Sequence, residues 1–335
     1  MPRVFPGSGM REKGRLRVSR RNLLKIAGLV PFGRLIGAQM PSLDEQPFKI
    51  ISTVVRVVLD VSVKDHHGRY ITDLQKDNFR VFEDGRLQPI IHFSSVDTPV
   101  TVGLVLDDSG SMSPKRAEVV TAGLAFAKES NADDQFFVVN FNNYIVPGLP
   151  EGMAFTDKLQ TLRAALYMGS PEGQTALYDA IVFSLKHLEK GREPKKTLIV
   201  VSDGGDNVSR ASFQDVMGLV QASEATIYTV GLFTDDDGDR DPRVLRKLAH
   251  LSGGDYFNPS RLDEVIPIFH QIAKDIRNRY TITYAPDPHI DAAKHPVRSI
   301  RVVASNAQNE KLKVKTRTQY SFEPFSELLA QDKLQ

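Results

Sequence analysis

The stretch Val102-Gly103-Leu104-Val105-Leu106-Asp107-Asp108-Ser109-Gly110-Ser111-Met112 decides how this chain is read. Its first half is a continuous apolar run, the pattern of a parallel strand buried on both faces. Its second half places a carboxylate and two hydroxyls at alternate positions, Asp107, Ser109 and Ser111, so that all three can point into one turn. Hard oxygen donors of this kind suit Mg²⁺, Mn²⁺ or Ca²⁺ and not a soft metal.

Similar apolar runs recur at Phe136–Phe141, Leu198–Val201 and Thr226–Leu232. Helical spacing alternates with them, in Leu177/Ala180/Ile181/Ser184/Leu185/Leu188, in Phe213/Val216/Met217/Val220 and in Leu262/Val265/Ile266/Phe269/Ile272/Ala273/Ile276. Helix starts are expected at Ser113-Pro114, at Asp241-Pro242 and at Ser260, with Asp263 three residues on. Strands alternating with helices over residues 99–278 predict a doubly wound α/β domain.

The texture outside that span is different. From Thr53 to Val63 apolar residues fall on odd positions, and Tyr280/Ile282/Tyr284 and Ile300/Val302/Ala304 also follow a period of two. These are half-buried strands. His66-His67-Gly68 reads as a solvated turn, and Asp84-Gly85 after Phe79–Glu83 reads as a hairpin, with Ile90–Phe93 as the return strand. Neither β segment is long enough to form a good sandwich alone. Residues 49–98 and 279–322 are therefore expected to pair as one β-sandwich-like domain, with the α/β domain inserted between them. Residues 39–48 read as a linker and 323–335 as a C-terminal tail.

Charge is uneven along the chain. Residues 1–38 carry nine Lys/Arg and one acid, Glu12. The remainder has 43 − 9 = 34 bases and 41 − 1 = 40 acids, a net charge of −6. A mildly acidic body lacks the basic stripe that nucleic-acid binding requires. Ser19-Arg20-Arg21-Asn22-Leu23-Leu24-Lys25, followed by the apolar Ile26–Ala38, resembles a twin-arginine export signal. The expected location is therefore outside the cytoplasm, periplasmic or extracellular; an uncleaved leader would act as a membrane tether. Without cysteine there is no disulfide framework, zinc-thiolate site or cysteine nucleophile.

Two further residues complete the oxygen set. Thr175 lies in Gly173-Gln174-Thr175-Ala176-Leu177, just before an expected helix, and Asp203 opens Asp203-Gly204-Gly205 after the strand Leu198–Val201. In an open parallel sheet such loops converge where strand order reverses. Taken singly, the parts read as a turn, an N-cap and a loop. Taken together, Asp107-x-Ser109-x-Ser111, Thr175 and Asp203-Gly204 resemble the metal-ion-dependent adhesion site of von Willebrand factor A domains, over roughly 100–277. The flanking β segments and leader are similar to bacterial, especially acidobacterial, secreted proteins related to that family.

The resemblance implies a Rossmann-like domain with strand order 3-2-1-4-5-6. It implies hydroxyl ligation by Ser109, Ser111 and Thr175, and direct or water-mediated ligation by Asp107 and Asp203. It also implies an open coordination position for a partner's Asp or Glu carboxylate, and so a binding or adhesion module. The alternatives are a metal-dependent hydrolase, with Asp108 or Asp206 as base, and a module whose cation only rigidifies loops. No HExxH, GxSxG or phosphate-cradling glycine loop supports the hydrolase. The acidic run Asp235–Asp241 misses the register of a calcium loop and reads as solvated. Asp206 reads as an outer group of the site or as surface.

Overall fold

The computed structural model describes residues 56–233, 241–287, 295–306 and 312–322, together with 310, 325 and 328. The leader, the linker, nearly all of the tail and residues 235–240 of the acidic run lie outside these.

The first described element is strand β1 (Val57–Lys64), whose odd positions Val57, Leu59, Val61 and Val63 are all buried, as the period of two requires. The His66-His67-Gly68 turn follows, closed by the Gly68 N–H donating to the Asp65 carbonyl. Next come β2 (Phe79–Glu83), β3 (Arg86–Gln88) and β4 (Ile90–Ser94). Asp84 and Gly85 both have positive φ, 46° and 79°, the two-residue turn whose twist matches antiparallel strands.

The expected return strand is therefore corrected. A two-residue turn makes Arg86–Gln88 the partner of β2, with Val81 opposite Gln88. Pro89 supplies no N–H to the ladder, and Ile90–Ser94 joins a different sheet.

The α/β part runs through β5 (Val100–Asp107), α1 (Arg116–Glu129), β6 (Gln135–Phe141), β7 (Ile145–Pro147), α2 (Leu159–Tyr167) and α3 (Leu177–Leu188). It continues with β8 (Lys195–Ser202), α4 (Phe213–Ala222), β9 (Thr226–Gly231), α5 (Pro242–Ser252), β10 (Tyr256–Phe257) and α6 (Val265–Arg277). The sheet order is β10-β9-β8-β5-β6-β7. Counting only these six strands, that is 6-5-4-1-2-3, the order expected. All pairings are parallel except β6 with β7. Every residue of β5 is buried, which explains its unbroken apolar run. Helix α1 packs with α2 and α6, and α4 with α3 and α5, giving the two covering groups of a doubly wound sheet.

Two of the three helix starts differ from expectation. Asp241 does cap α5, with Pro242 in the first turn. Ser113-Pro114 instead lies in tight turns that delay α1 to Arg116, and a 3-10 turn at Leu262–Glu264 delays α6 to Val265. The Ser260 N–H is taken by Glu264 and not by Asp263.

After α6 come β11 (Arg279–Tyr284), β12 (Val297–Ala304), β13 (Lys313–Lys315) and β14 (Gln319–Ser321). They join the first four strands in two four-stranded sheets, β13-β1-β11-β4 and β14-β12-β2-β3. Each sheet thus contains strands from both sides of the α/β part. The two sheets share one apolar cluster, with Leu59, Val61 and Ile282 from one and Phe79, Val81 and Ile300 from the other. Each such buried side chain contributes about 1.5–3 kcal/mol. Tyr284 and Tyr320 both donate to Oε2 of buried Glu83, at 2.7 and 2.9 Å, stitching the sheets together.

A second polar junction links these strands to the α/β core. Asp275 of α6 accepts from Ser62 Oγ of β1 at 2.8 Å, from the Tyr228 hydroxyl of β9 at 2.6 Å and from Arg279 Nη2 at 2.6 Å. Burial alone would raise the Asp275 carboxyl, but the Arg279 guanidinium and these donors hold it well below the usual carboxylate range.

Candidate metal centre

Chain order reverses around β5, with β6 on one side and β8 on the other. Leu106 lies opposite Val201 in register. Asp107, the last residue of β5, and Asp203, just past the end of β8, therefore emerge side by side at the carboxyl edge of the sheet. Both are buried, at 0% and 1% exposure.

The Asp107 carboxylate is fixed by two donors. The Ser109 N–H reaches Oδ1 at 2.8 Å, and Ser202 Oγ reaches Oδ2 at 2.6 Å. Burial pushes its carboxyl up to about 6; the Ser109 and Ser202 bonds offset part of that rise, and the neighbouring Asp203 charge adds to it. A turn of 3-10 helix at Gly110–Met112 then folds the serines inward. Ser109 Oγ lies 3.2 Å from Ser111 Oγ, and Ser111 Oγ donates to Asp203 Oδ1 at 2.9 Å.

Thr175 arrives on a loop sewn to the others by backbone. The Glu172 N–H donates to the Asp108 carbonyl at 2.8 Å, and the Gly110 N–H to the Gly173 carbonyl at 3.2 Å. Gly173 has φ +74°, which lets the loop turn while Asn143 Oδ1 accepts the Gln174 N–H at 2.8 Å. Asn207 brackets Thr175, accepting its N–H at 2.9 Å and donating its own N–H to the Thr175 carbonyl at 3.1 Å. A Cβ placed on Gly204 would stand 3.5 Å from Thr175 Oγ1, so the threonine hydroxyl lies beside the Asp203 loop. Thr175 is not a helix cap. Ala176 occupies that position, and the first-turn N–H groups of Tyr178 and Asp179 go to Asp206 Oδ1 and Ser209 Oγ, each at 3.0 Å.

The donor set fits a hard divalent cation. Neighbouring ligands of an octahedral ion with bonds of roughly 2.1 Å stand roughly 3 Å apart. The 3.2 Å and 2.9 Å separations along Ser109, Ser111 and Asp203 match that spacing. Among the described residues no group of three or more His, Cys, Asp or Glu is placed to hold a metal. This cluster draws on two carboxylates and three hydroxyls instead.

The two residues considered as a general base are both engaged. Asp108 Oδ1 forms an ion pair with Arg116 Nε at 2.6 Å beneath the site. Burial pushes the Asp108 carboxyl up to about 6 against the pull of that arginine. Gly169 makes room for the pair, since a Cβ there would overlap both side chains. Asp206 Oδ1 takes the Tyr178 N–H and Ser209 Oγ, the latter at 2.5 Å.

Sequence reasoning missed Ser202, Asn207, Asn143 and above all Lys115. Lys115 is 4% exposed, and its ammonium lies 2.5 Å from Asp203 Oδ2. It occupies the N-cap of α1, where Ser, Thr, Asp or Asn is preferred and the helix dipole disfavours a cation. The sequence carried no signal for it, because the helix was expected to start at Ser113-Pro114 and the N-cap position of Lys115 emerges only in the structure.

Among the described residues no helix is long and apolar enough to cross a membrane.

The sequence profile of the von Willebrand factor type A domain matches residues 102–271. Among solved structures, the chain is similar to a von Willebrand factor type A protein from Catenulispora acidiphila, at 13% identity and TM-score 0.48, covering 83% of this chain and 76% of that one. It is similar to the vWF domain of the type V pili tip protein Mfa5 from Porphyromonas gingivalis, at 14% identity and TM-score 0.42, covering 54% and 96%. A third is proximal thread matrix protein 1 from the mussel byssus with a zinc-occupied MIDAS motif, at 16% identity and TM-score 0.46, covering 58% and 49%. No curated protein matches.

Proposed function

We infer the function of this chain from its family, for it belongs to the von Willebrand factor type A domain family, and we propose that it captures a protein partner through a divalent cation. The observation that carries this reading is the convergence of Asp107, Ser109, Ser111, Thr175 and Asp203, joined by the 2.9 Å bond from Ser111 to Asp203 across 92 positions of sequence. Mg²⁺, or Mn²⁺ or Ca²⁺ in its place, would be held by these five residues. When bound, the cation supplies a Lewis-acidic position for an Asp or Glu carboxylate of the partner.

The protein's own residues prepare that position. Three of the five donors are neutral hydroxyls, which leave the ion electrophilic. Ser202 and the Ser109 N–H fix the orientation of Asp107, as groups around ligating carboxylates commonly do. The reading as a binding module and not a hydrolase rests on the engagement of Asp108 by Arg116 and of Asp206 by Tyr178 and Ser209.

In the proposed layout the α/β domain, residues 99–278, is inserted into a β-sandwich-like domain formed by 49–98 and 279–322. Export by the twin-arginine route, read from residues 1–38, would place the site in the periplasm or outside the cell.

A crosslinking pull-down from the envelope fraction in Mg²⁺, set beside the same capture in EDTA and by Asp107→Ala, tests the function. Partner capture abolished by both supports the reading. Unchanged Mn²⁺ binding by Asp107→Ala in calorimetry sinks it. A chelator effect on melting alone would leave only a stabilising cation, and turnover of a phosphoester or peptide library would make the protein a hydrolase.

A further inference from the structure

Three large side chains stand in solvent beside the loops that carry the oxygen donors. Among the described residues five large apolar side chains are more than half exposed, Leu87, Val96, Tyr144, Tyr167 and Met168, and the last three share the carboxyl edge of the central sheet. Tyr144 lies just past Phe141, the register partner of Asp107, and the Asn142 carbonyl in the same turn accepts the Ala176 N–H at 2.8 Å. Tyr167 closes α2 and Met168 follows it. Both neighbours of this pair are anchored at the site. Arg116 Nη2 donates to the Leu166 carbonyl at 2.7 Å, and Gly169 abuts the Asp108–Arg116 ion pair.

The arrangement is one-sided. Both segments flank the donor set on the β6 side, whereas the loop after β8 offers Gly204, Gly205 and Asp206. Apolar side chains exposed singly are ordinary, but Tyr and Met are enriched at protein–protein interfaces, and these three stand where a partner's carboxylate would arrive. A Tyr ring presents a large contact area at low conformational cost. Arg163, one turn earlier on α2, lies over the Tyr167 ring, 5.9 Å from its centroid, and steadies it. The exposed Glu172, between Met168 and Thr175, would repel a second acid beside the one on the cation.

We propose that Tyr144, Tyr167 and Met168 form the specificity rim of the site, and that its partner is a protein segment in which a single Asp or Glu is flanked by a large apolar side chain. The acid reaches the cation while the rim covers the apolar side chain. This rests on the metal-dependent reading above and adds to it the neighbours of the acid. Half-burying a Phe-sized side chain on such a rim changes affinity by roughly fivefold or more. A bare carboxylate would leave the three side chains in water and gain nothing from them.

The test uses the purified full chain with Mn²⁺ and two peptides of equal charge, acetyl-Phe-Asp-Phe-amide and acetyl-Gly-Asp-Gly-amide. Each is followed through the water-proton relaxation of bound Mn²⁺. Wild type is expected to bind the Phe peptide roughly fivefold or more tightly than the Gly peptide. In the triple variant Tyr144→Ser/Tyr167→Ser/Met168→Ser that preference is expected to fall below about twofold, with the Gly peptide bound as by wild type. All three side chains are exposed and none is a metal donor, so Mn²⁺ calorimetry on the variant checks that the donor set is intact. Equal affinities of the two peptides for wild type, or a preference that survives the triple substitution, overturns the rim while leaving the metal site standing. Mn²⁺-dependent self-association of wild type that the triple variant loses overturns it in favour of a second copy of this chain. Absence of Mn²⁺ binding by wild type overturns the metal-dependent reading and the rim with it.

Discussion

Asp107 and Asp275 are both almost wholly buried, at 0% and 1% exposure, yet the fold moves their carboxyls in opposite directions. Asp275 meets a hydroxyl from β1, a hydroxyl from β9 and the Arg279 guanidinium, and is held well below the ordinary range. Asp107 accepts the Ser109 N–H and the Ser202 hydroxyl and has the Asp203 charge as neighbour. Burial raises it to about 6. The first is a charge the fold has already neutralised. On the proposed reading, the second is one that a bound cation would neutralise.

The sharpest way to break this contrast is substitution in EDTA. Asp275→Ala strands Arg279 in the interior and is expected to cost about 3–5 kcal/mol of unfolding free energy. Asp107→Ala removes a charge that burial already disfavours but also leaves the Ser109 N–H and the Ser202 hydroxyl without their acceptor, and is expected to cost less than Asp275→Ala, about 1–3 kcal/mol. Equal losses in urea unfolding would show that the two carboxylates are held alike.

The pH dependence separates the two with a smaller signal. Asp107 is raised, so its contribution is full below its unfolded value near pH 4 and is lost as pH rises through about 6. Asp275 is depressed, so its contribution is present above about pH 4 and is lost as pH falls through its folded value. In metal-free protein, Asp107→Asn should flatten the decline between about pH 4 and 6, and Asp275→Asn the decline in acid. Each slope is at most about 1.4 kcal/mol per pH unit. Chemical denaturation across that range reads both, and a single variant that flattened both arms would undo the distinction.

The smallest effect concerns the hydroxyls. Thr175→Val keeps the branched shape and removes one neutral oxygen. It should shift folding by less than about 1 kcal/mol while weakening Mn²⁺ binding roughly tenfold, about 1.4 kcal/mol. Affinity equal to that of wild type would remove Thr175 from the donor set.

What could be read from the sequence follows the range of the interactions involved. The parallel strands were legible because two-sided burial writes itself as an unbroken apolar run, as in Val102–Leu106. The alternation at Leu59, Val61 and Val63 was legible for the converse reason. The Asp107-Ser109-Ser111 trio is local and could be seen at once. Lys115 could not be recognised in the same way, because its meaning depends on Asp203, 88 positions away. The return strand was misassigned because Ile90–Phe93 is the more apolar segment. Turn length and Pro89, not hydrophobicity, chose Arg86–Gln88.

Strands β4 and β11 are antiparallel neighbours, with Ser94 opposite Thr281. The chain leaves the small sheets for the α/β part just after Ser94 and returns through β11, so its departure and return lie about one strand spacing, roughly 4.8 Å, apart. On the proposed layout the intervening residues form a cassette carried on a closed frame. Such a cassette can be excised and bridged by a short turn, or grafted between two adjacent strands of another sheet, because neither operation has to span a gap. Any such exchange must also replace the partner that Asp275 supplies to Ser62 and Arg279.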